Sequence, residues 1–269
     1  MNEREKTSIE LRNLSVTYKG SGADVYAVRG CSFSVGKGDV VGLAGESGSG
    51  KTSALMAIVR LLPPGTVISG QIFCDRVELT ALPEEGVNAW RWRRIALVPQ
   101  GAMNSFTPHL SIERHITEVL ELHMKMTKRE GRKYAAELLQ TVGLEASFLA
   151  RYPHELSGGQ KQRAALATAL ACKPDFLLAD EPTTALDVVT QKEVLDMIVS
   201  LTRSRGMGLL LVTHDLPLAA GICDVLIVMK DGSISESGPA RDVIGSPKSA
   251  YTRRLIQAIR VMDGGGERQ

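Results

Sequence analysis

The sequence predicts an α/β fold in which helices cover a mainly parallel sheet, with an N-terminal antiparallel β subdomain and an inserted helical subdomain. After Pro174, apolar strand-like runs alternate with helical stretches, which is typical of parallel sheets covered by helices. Before Gly38, apolar residues recur at every second position, which indicates half-buried strands. Between Gly101 and Tyr152 the apolar spacing becomes helical, so this stretch is predicted to interrupt the α/β pattern.

The N-terminal alternation falls into three groups separated by turns. These groups are Ile9 and Leu11, then Leu14, Val16 and Tyr18, and later Cys31, Phe33 and Val35. The segment 36–38, Gly-Lys-Gly, predicts a turn into a buried strand at 39–44.

A glycine-rich loop follows that strand. Residues 45–52 read GESGSGKT and fit the pattern GxxxxGK[ST], in which backbone amides and the lysine hold nucleotide phosphates. Lys51 is assigned to the β- and γ-phosphates and Thr52 to Mg²⁺, and a helix is predicted from Lys51 to Arg60. The predicted phosphate-binding residues are Gly45, Ser47, Gly48, Ser49, Gly50, Lys51, Thr52 and Ser53. The alternative is a glycine-rich surface turn.

The helical stretch carries its own boundary signals. Thr127 and Glu130 have the spacing of a capping box, and Gly143 suits a helix C-terminus. One apolar face of the predicted helix is formed by Ala135, Leu138, Leu139 and Val142.

A second glycine-containing helix start is predicted at residues 156–160, which read LSGGQ and are called the signature run below. Ser157 and Gln160 match a capping box, and a helix is expected over 161–172. A well-capped helix is one sufficient explanation. However, Gly158 and Gly159 are costly in a helix, by about 1 kcal/mol each relative to Ala. Bare amides suit the approach of an anion, so the chain is predicted to hold two anion-binding helix ends.

The C-terminal half supplies two adjacent carboxylates. Strands are predicted at 176–179, 209–213 and 225–229, and a helix at 188–204. Asp180 ends the first of these strands, where an unpaired carboxylate would be expensive to bury. It is interpreted as an Mg²⁺ ligand, and a carboxylate bonded to a neighbouring loop is the alternative. Strand side chains alternate, so Asp180 and Glu181 can have different roles.

Composition excludes some classes of function. The net charge of +2 and the pI of about 8.3 do not indicate a nucleic-acid partner. Apolar runs reach only about six residues, whereas a membrane-spanning helix needs about 20. The first six residues lack the apolar stretch of a signal peptide. A cytosolic protein is therefore expected, with any membrane attachment through a partner.

The cysteines and most histidines give no metal-ligand spacing. Cys31, Cys74, Cys172 and Cys223 are scattered and are expected to be reduced. Four histidines in the helical stretch are interpreted as surface or packing residues: His109, His115, His123 and His154.

The three runs at 45–52, 156–160 and 176–181 together resemble the nucleotide-binding subunit of an ATP-binding cassette (ABC) transporter, a P-loop NTPase. The resemblance extends from about Ile9 to about Ile259. It implies ATP and Mg²⁺ as cofactors and two subunits paired head to tail. In that arrangement the phosphate loop of one subunit and the signature run of the other (Ser157, Gly158, Gly159 and Gln160) contact the same ATP.

The resemblance also implies roles for single residues. Glu181 corresponds to the general base that acts on the attacking water, and His214 to the histidine that contacts the γ-phosphate. Gln100 corresponds to the glutamine that senses Mg²⁺ and water and couples the site to the helical segment. The predicted catalytic residues are thus Glu181, His214, Gln100 and Lys51, and the predicted metal ligands are Thr52, Gln100 and Asp180.

Two further assignments have competitors. Tyr18 stands where the family places an aromatic residue that stacks on adenine, with Tyr26 as a nearby competitor. The segment 184–187 matches the loop that crosses the dimer interface in the family, and its Asp187 could simply cap the helix that begins at Val188; the two roles are compatible.

The implied domain organisation is one ABC ATPase domain over 7–259. Its core comprises 7–100 and 160–240, and its helical insertion comprises 101–159. A C-terminal helical extension is expected over 241–262 and a flexible tail over 263–269.

Three segments resemble importers of peptides, nickel, opines and related small solutes. They are 99–108, 179–191 and 246–255, with departures at Thr107 and Ser249 from the residues usual there. The segment 150–155 stands where exporters usually carry a TEVGERG-like run, which favours an importer.

The predicted function is that of an ATP-hydrolysing importer subunit on the cytoplasmic face of the membrane. Its expected partners are transmembrane permease subunits, indirectly a substrate-binding protein, and a second ATPase subunit, for which a related but different chain is favoured. The alternatives are a soluble, non-transport ABC ATPase, a nucleotide-gated regulatory module, and a kinase sharing only the first motif. The last would leave the signature run unexplained.

Overall fold

A computed structural model describes residues 7–20 and 22–264, and side chains as far as residue 258. The described residues form two compact units. The first unit lies within 1–82 and 210–269, and the second is 83–209.

The elements alternate as expected along most of the chain. The strands are β1 Ser8–Tyr18, β2 Val25–Gly36, β3 Val40–Ala44, β4 Val67–Cys74, β5 Val77–Glu78, β6 Ile95–Val98, β7 Phe176–Asp180, β8 Gly208–Thr213, β9 Val225–Lys230 and β10 Ser233–Pro239. The helices are α1 Lys51–Ile58, α2 Glu84–Asn88, α3 Ile112–Met124, α4 Lys128–Thr141, α5 Gly158–Ala169, α6 Val188–Arg205, α7 Leu216–Ile222, α8 Ala240–Gly245 and α9 Ala250–Gly264.

The first unit contains an antiparallel sheet in the order β2-β1-β4-β5. The alternating N-terminal residues are buried except for Tyr18 and Phe33, which are partly exposed, and β1 is one strand rather than two separated by a turn. Its register with β2 shifts between Leu11 and Leu14, and Asn13 has a positive φ of 55°. A bulge therefore replaces the predicted turn and keeps the apolar side chains of both groups on one face.

A second sheet in this unit contains the expected parallel pairing. Strand β3 is buried at all five positions and pairs in parallel with β9, which pairs antiparallel with β10. An entirely apolar strand is typical of a sheet covered on both faces. On β3, a Cβ added at Gly42 would lie 2.9 Å from the Cys223 Sγ, so the cysteine occupies the space beside the glycine.

The second unit pairs β6 with β7 in parallel and contains α2 to α6. The predicted capping box of α4 is confirmed: the Thr127 side chain accepts from the Glu130 amide, and the Glu130 side chain accepts from the Thr127 amide. The predicted apolar face of α4 is fully buried, and Gly143 has the left-handed φ of 71° that ends the helix. Burial of this face attaches α4 to its neighbours α3 and α5.

Helix α5 differs from its predicted bounds. It begins at Gly158 rather than Lys161 because Ser157 caps it, and it ends at Ala169. Cys172 therefore lies beyond the helix rather than at its last turn. All four cysteines are buried free thiols.

The C-terminal part forms α8 and α9. Asp263 and Gly264, placed by the sequence in the tail, are the last residues of α9. The rest of the predicted tail, 265–269, lies outside the described residues. Among the described helices, none is both long enough and apolar enough to cross a membrane.

Candidate functional site

The phosphate loop joins β3 to α1 in the first unit, and its glycines are required by its geometry. Gly45, Gly48 and Gly50 all have positive φ values, of 149°, 78° and 99°. A Cβ at Gly45 would lie 2.3 Å from the Met229 carbonyl oxygen, and one at Gly50 would lie 2.1 Å from the Ala27 carbonyl oxygen. The loop therefore passes close to two backbone segments that admit no side chain at these positions.

Lys51, the lysine of the motif, is 5% exposed. Its Nζ donates to the Gly45 carbonyl at 2.9 Å, to the Glu46 carbonyl at 2.7 Å and to the Ser49 Oγ at 3.3 Å. These acceptors hold the ammonium within the loop, where a phosphate contacting the loop would meet a fixed positive charge.

Helix α1 presents its positive end at the loop. Gly50 is its N-cap without a side-chain cap hydrogen bond, and its first turn contains no acidic residue. An N-terminus of this kind favours bound anions. Thr52, the predicted Mg²⁺ ligand, is exposed in this first turn.

Tyr18 lies beside the same turn. Its hydroxyl donates to the Ser53 Oγ at 2.9 Å, and both residues are only partly exposed. The competitor Tyr26 is 56% exposed, with the Arg29 guanidinium 5.5 Å from its ring centroid. This geometry puts Tyr18 next to the phosphate loop, and its role toward adenine stays a prediction.

His214 follows β8 in the first unit and is exposed, whereas Thr213 before it is buried. Asp215 caps α7 by accepting from the Leu218 amide at 2.9 Å. The cap fixes the backbone directly after His214 and leaves its imidazole exposed at the strand end.

The two adjacent carboxylates lie at the end of β7 in the second unit. Asp180 is fully buried, and Glu181 is partly exposed with a positive φ of 44°. A non-glycine residue in this region of backbone space is uncommon and often marks a functional constraint. The two adjacent carboxylates therefore differ in burial, and their separate roles stay predictions.

Gln100 and Glu181 are brought together, although 81 residues separate them along the chain. The Gln100 Nε2 donates to the Glu181 Oε2 at 3.1 Å. The Thr184 Oγ1 donates to the same oxygen at 3.0 Å. The sequence analysis placed Thr184 in the segment 184–187 without assigning it a contact with Glu181, and its position three residues after Glu181, in the turn before α6, was the available signal.

The signature run forms the start of α5. Ser157 Oγ accepts from the Gln160 amide at 3.3 Å, and Gln160 Oε1 accepts from the Ser157 amide at 2.9 Å, which confirms the capping box. A Cβ at Gly158 would lie 3.4 Å from Leu186 Cδ2, and one at Gly159 would lie 2.8 Å from Thr190 Cγ2. Gly159 thus also has a packing role that the sequence did not reveal, whereas a side chain at Gly158 would make only ordinary contacts.

Asp187 caps α6, next to the signature run. Its carboxylate accepts from the Thr190 amide at 3.0 Å, and this bond is the largest cause that lowers the pKa of its carboxyl. The capping alternative is therefore present in the structure. Because Thr190 also faces Gly159, the cap of α6 and the start of α5 are packed together.

The predicted metal ligands provide hard oxygen donors. Thr52 offers a hydroxyl, Asp180 a fully buried carboxylate and Gln100 an amide oxygen. Mg²⁺ prefers ligands of this kind together with phosphate oxygens and water. The donor chemistry of each of these residues therefore suits the ion.

The α/β fold and the glycine-rich loop ahead of α1 define a P-loop nucleotide-binding protein. The family model described as "ABC transporter" matches residues 28–184, more than half of the chain. The chain belongs to the ABC transporter family.

Similar proteins include transport ATP-binding subunits. The chain is 43% identical over 254 residues to the peptidoglycan transport ATP-binding protein YejF of Agrobacterium fabrum, covering 93% of this chain and 46% of that protein. It therefore spans less than half of this relative. It is 36% identical over 265 residues to the oligopeptide transport ATP-binding protein OppD of Bacillus subtilis, covering 97% and 74%.

Solved structures agree with this assignment. The dimeric, post-hydrolysis structure of the ATP-binding cassette MJ0796 bound to ADP and Pi matches with a TM-score of 0.77 and 31% identity. The match covers 87% of this chain and 99% of the cassette.

Proposed function

We propose that this chain is the ATP-hydrolysing subunit of an ABC importer for peptides or similar small solutes. The observation that carries the proposal is the bonded pair of Gln100 and Glu181, which joins a candidate water-positioning amide to a candidate base. The loop around Lys51, in the first unit, supplies a phosphate site by itself.

In the proposed reaction, water attacks the γ-phosphate of ATP, and the bond from that phosphorus to the leaving oxygen of ADP breaks. Glu181 accepts the proton of the water, and Gln100 and Thr184 hold its carboxylate in one orientation. Lys51 and the first turn of α1 bind the phosphates, and His214 contacts the γ-phosphate. Mg²⁺, held by Thr52, Asp180 and Gln100, would supply charge neutralisation when bound.

The proposed working unit is a head-to-tail pair of ATPase subunits. Ser157, Gly158, Gly159 and Gln160 of one subunit would face the ATP held by the loop of the other. The exposed start of α5 supports this arrangement, because its capped N-terminus carries no acidic residue in the first turn. The dimeric cassette among the similar structures supports it as well.

The proposed solute class is peptides, because OppD of Bacillus subtilis is named for oligopeptide transport. Metal chelates such as nickel complexes, and opines, are the other solutes of the importers that the sequence resembles. The permease and a binding protein would recognise the solute. We place the chain at the cytoplasmic face of the membrane, attached through the permease, with a related second chain as its ATPase partner.

Within a proposed ATPase domain of 7–259, the helical insertion, 101–159, is the part that would couple ATP hydrolysis to the permease. Gln100 directly precedes this insertion, so a movement at Glu181 would reach the helices through their shared hydrogen bond. ATP-driven closure of the subunit pair would then move α3 and α4 against the permease.

The first experiment measures phosphate release by the purified chain and by Lys51→Ala with ATP and Mg²⁺. The parent is expected to hydrolyse ATP. The hydrolysis rate of the variant is expected to be at least about 100-fold lower, as when one donor that stabilises charge in a transition state is removed. Equal turnover by the two proteins would contradict the proposal.

The second experiment isolates the tagged chain from native membranes and identifies the accompanying proteins. A permease and a second ATPase chain are expected. Uptake of labelled peptides, nickel and an opine by cells with and without Lys51→Ala then assigns the solute. Unaffected uptake of all three would exclude this importer class.

A further inference from the structure

The segment that follows β10 is fastened to that strand by a glutamate. Glu236 accepts hydrogen bonds from the Lys248 amide at 2.7 Å and from the Ser249 amide at 3.0 Å, one on each carboxylate oxygen. The hydroxyls of Ser235 and Ser249 are 2.7 Å apart. These contacts fix the chain directly before α9, where Tyr251 is the second residue.

Tyr251 reaches the phosphate loop. It is 7% exposed, and its hydroxyl accepts the backbone N–H of Glu46 at 3.4 Å. The Lys230 Nζ lies 5.2 Å from the centroid of its ring, which adds a cation–π contact from the end of β9. A residue of α9 thus contacts the second residue of the GxxxxGK[ST] motif, about 200 positions away.

Glu46 is held on both sides of its Cα. Its carbonyl accepts from the Lys51 Nζ at 2.7 Å and from the Ser49 amide at 3.2 Å, while its N–H donates to Tyr251. Glu46 itself opens the exposed stretch 46–48 of the loop. The Tyr251 hydroxyl, which lies outside the loop, therefore bonds to the turn whose carbonyls accept from Lys51.

We propose that Tyr251 is a positioning residue for nucleotide binding, and that α9 thereby sets the fraction of phosphate loops in the binding conformation. This inference rests on the proposed function, because it concerns the affinity of the same loop for ATP. Without the hydroxyl, the turn at Glu46 has one restraint fewer and occupies more conformations. The apparent affinity for ATP then falls by the factor by which the competent fraction falls.

The expected effect follows from the strength of one hydrogen bond. A neutral hydrogen bond is worth about 0.5–1.5 kcal/mol net, and this bond is long, so the lower half of that range applies. That corresponds to a loss of about twofold to fivefold in affinity. Turnover at saturating ATP is expected to stay within about 1.5-fold of the parent, because bound phosphate orders the loop.

The test compares Tyr251→Phe with Tyr134→Phe. The first variant keeps the ring and its contact with Lys230 and removes only the hydroxyl. The second is a matched control: Tyr134 lies on α4 in the other unit, and the Lys173 Nζ lies 5.4 Å from its ring centroid. The KM for ATP and kcat are measured for both, together with the hydrogen exchange rate of a peptide containing the Glu46 amide.

A higher KM with an unchanged kcat in Tyr251→Phe alone, with faster exchange at Glu46, is the expected result. An unchanged KM, or equal losses in kcat and kcat/KM, would overturn the inference, whatever happens to the melting temperature. If the parent itself neither binds nor hydrolyses ATP, the proposed function fails. The exchange rate then still decides whether Tyr251 restrains the loop, and equal exchange in both variants would refute that.

Discussion

The side-chain amide of Gln100 donates a 3.1 Å hydrogen bond to the Glu181 carboxylate, joining the second residue after β6 to the first residue after β7. The two strands are parallel neighbours, so their carboxyl ends meet at one edge of the sheet. Parallel sheets generally place their functional side chains at this edge. The pairing of β6 with β7 is therefore what brings the candidate base and its amide partner together.

Replacing Glu181 by Gln is expected to lower the ATP hydrolysis rate by about 10²- to 10⁴-fold, the usual contribution of a general base. ATP binding is expected to persist, because the amide keeps the volume of the side chain and Lys51 is unchanged. Phosphate release, equilibrium ATP binding and size-exclusion chromatography with ATP are the measurements. The last should show accumulation of the closed dimer.

Glu137→Gln, an exposed substitution on α4, is the matched control and should retain the parental rate. Near-parental hydrolysis by Glu181→Gln would remove Glu181 from the role of base.

Replacing Gly159 by Ala is expected to destabilise the protein by about 1–2 kcal/mol. The added Cβ would lie 2.8 Å from Thr190 Cγ2, and crowding of this kind costs more than the better helix propensity of Ala returns. The double substitution Gly159→Ala with Thr190→Ser removes that methyl group and should restore stability in urea unfolding.

ATP hydrolysis separates the two explanations for this glycine. If a phosphate must approach a bare helix end, the double variant stays impaired although it is stable. Recovery of full activity in the double variant would mean that Gly159 serves packing against Thr190 only.

The hydrogen bonds of Glu236 to the Lys248 and Ser249 amides, called the anchor of α9 below, are expected to weaken in acid. Burial of Glu236 alone would raise the pKa of its carboxyl, but the Lys248 amide, the Thr252 side chain, the Ser249 amide and the Lys248 charge together outweigh burial and lower the pKa from its ordinary value. A lowered pKa in the folded state means that the stabilisation is complete above about pH 4.5 and is lost as the pH falls through the lowered value.

Unfolding free energies of the parent and of Glu236→Gln, measured between pH 6 and pH 3.5, check this prediction. The gap between the two proteins should be largest at pH 6 and should close toward pH 3.5. A gap that is independent of pH would show that the carboxylate charge contributes nothing to the anchor.

The cysteines are expected to resist alkylation in the folded protein. All four are buried, and burial raises the pKa of Cys172 to about 11 and that of Cys223 to about 12. At pH 8 only about one in a thousand Cys172 side chains would be thiolate, which is the reactive form. Iodoacetamide followed by mass spectrometry should find no rapid labelling in the native protein and four labels after denaturation.

Rapid labelling of any one cysteine in the folded protein would contradict its burial. Iron and acid-labile sulfide in freshly purified protein would contradict the expectation that these thiols are not ligands.

Local signals explain what the sequence could predict. The glycine-rich loop, the capping boxes at Thr127 and Ser157, and the apolar runs of β3 and β7 each lie within a few neighbouring residues. Their patterns therefore indicate structure without knowledge of tertiary contacts. For the same reason, the four strands predicted at 39–44, 176–179, 209–213 and 225–229 agree with the observed bounds to within one residue at each end.

Contacts between distant segments account for the features of the fold and site that the sequence did not predict. The bond of Tyr251 to Glu46 and the contact of Gly159 with Thr190 depend on how whole elements pack, which one sequence does not encode locally. The bulge at Asn13 likewise looks like a turn in sequence, because both interrupt an alternating pattern. The hydrogen bond of Thr184 to Glu181 depends on a turn with an unusual backbone conformation at the glutamate.

The close approach between Gly42 and Cys223 constrains how this chain can diverge. A methyl group at position 42 would lie 2.9 Å from both the Cys223 Sγ and the Leu226 Cδ1, so a larger residue there can be inherited only with compensating changes at 223 and 226 or with a shift of both side chains. Substitutions at position 42 should therefore appear together with changes at these neighbours among descendants of this sequence, and in such a lineage the return of the larger neighbours alone should be disfavoured.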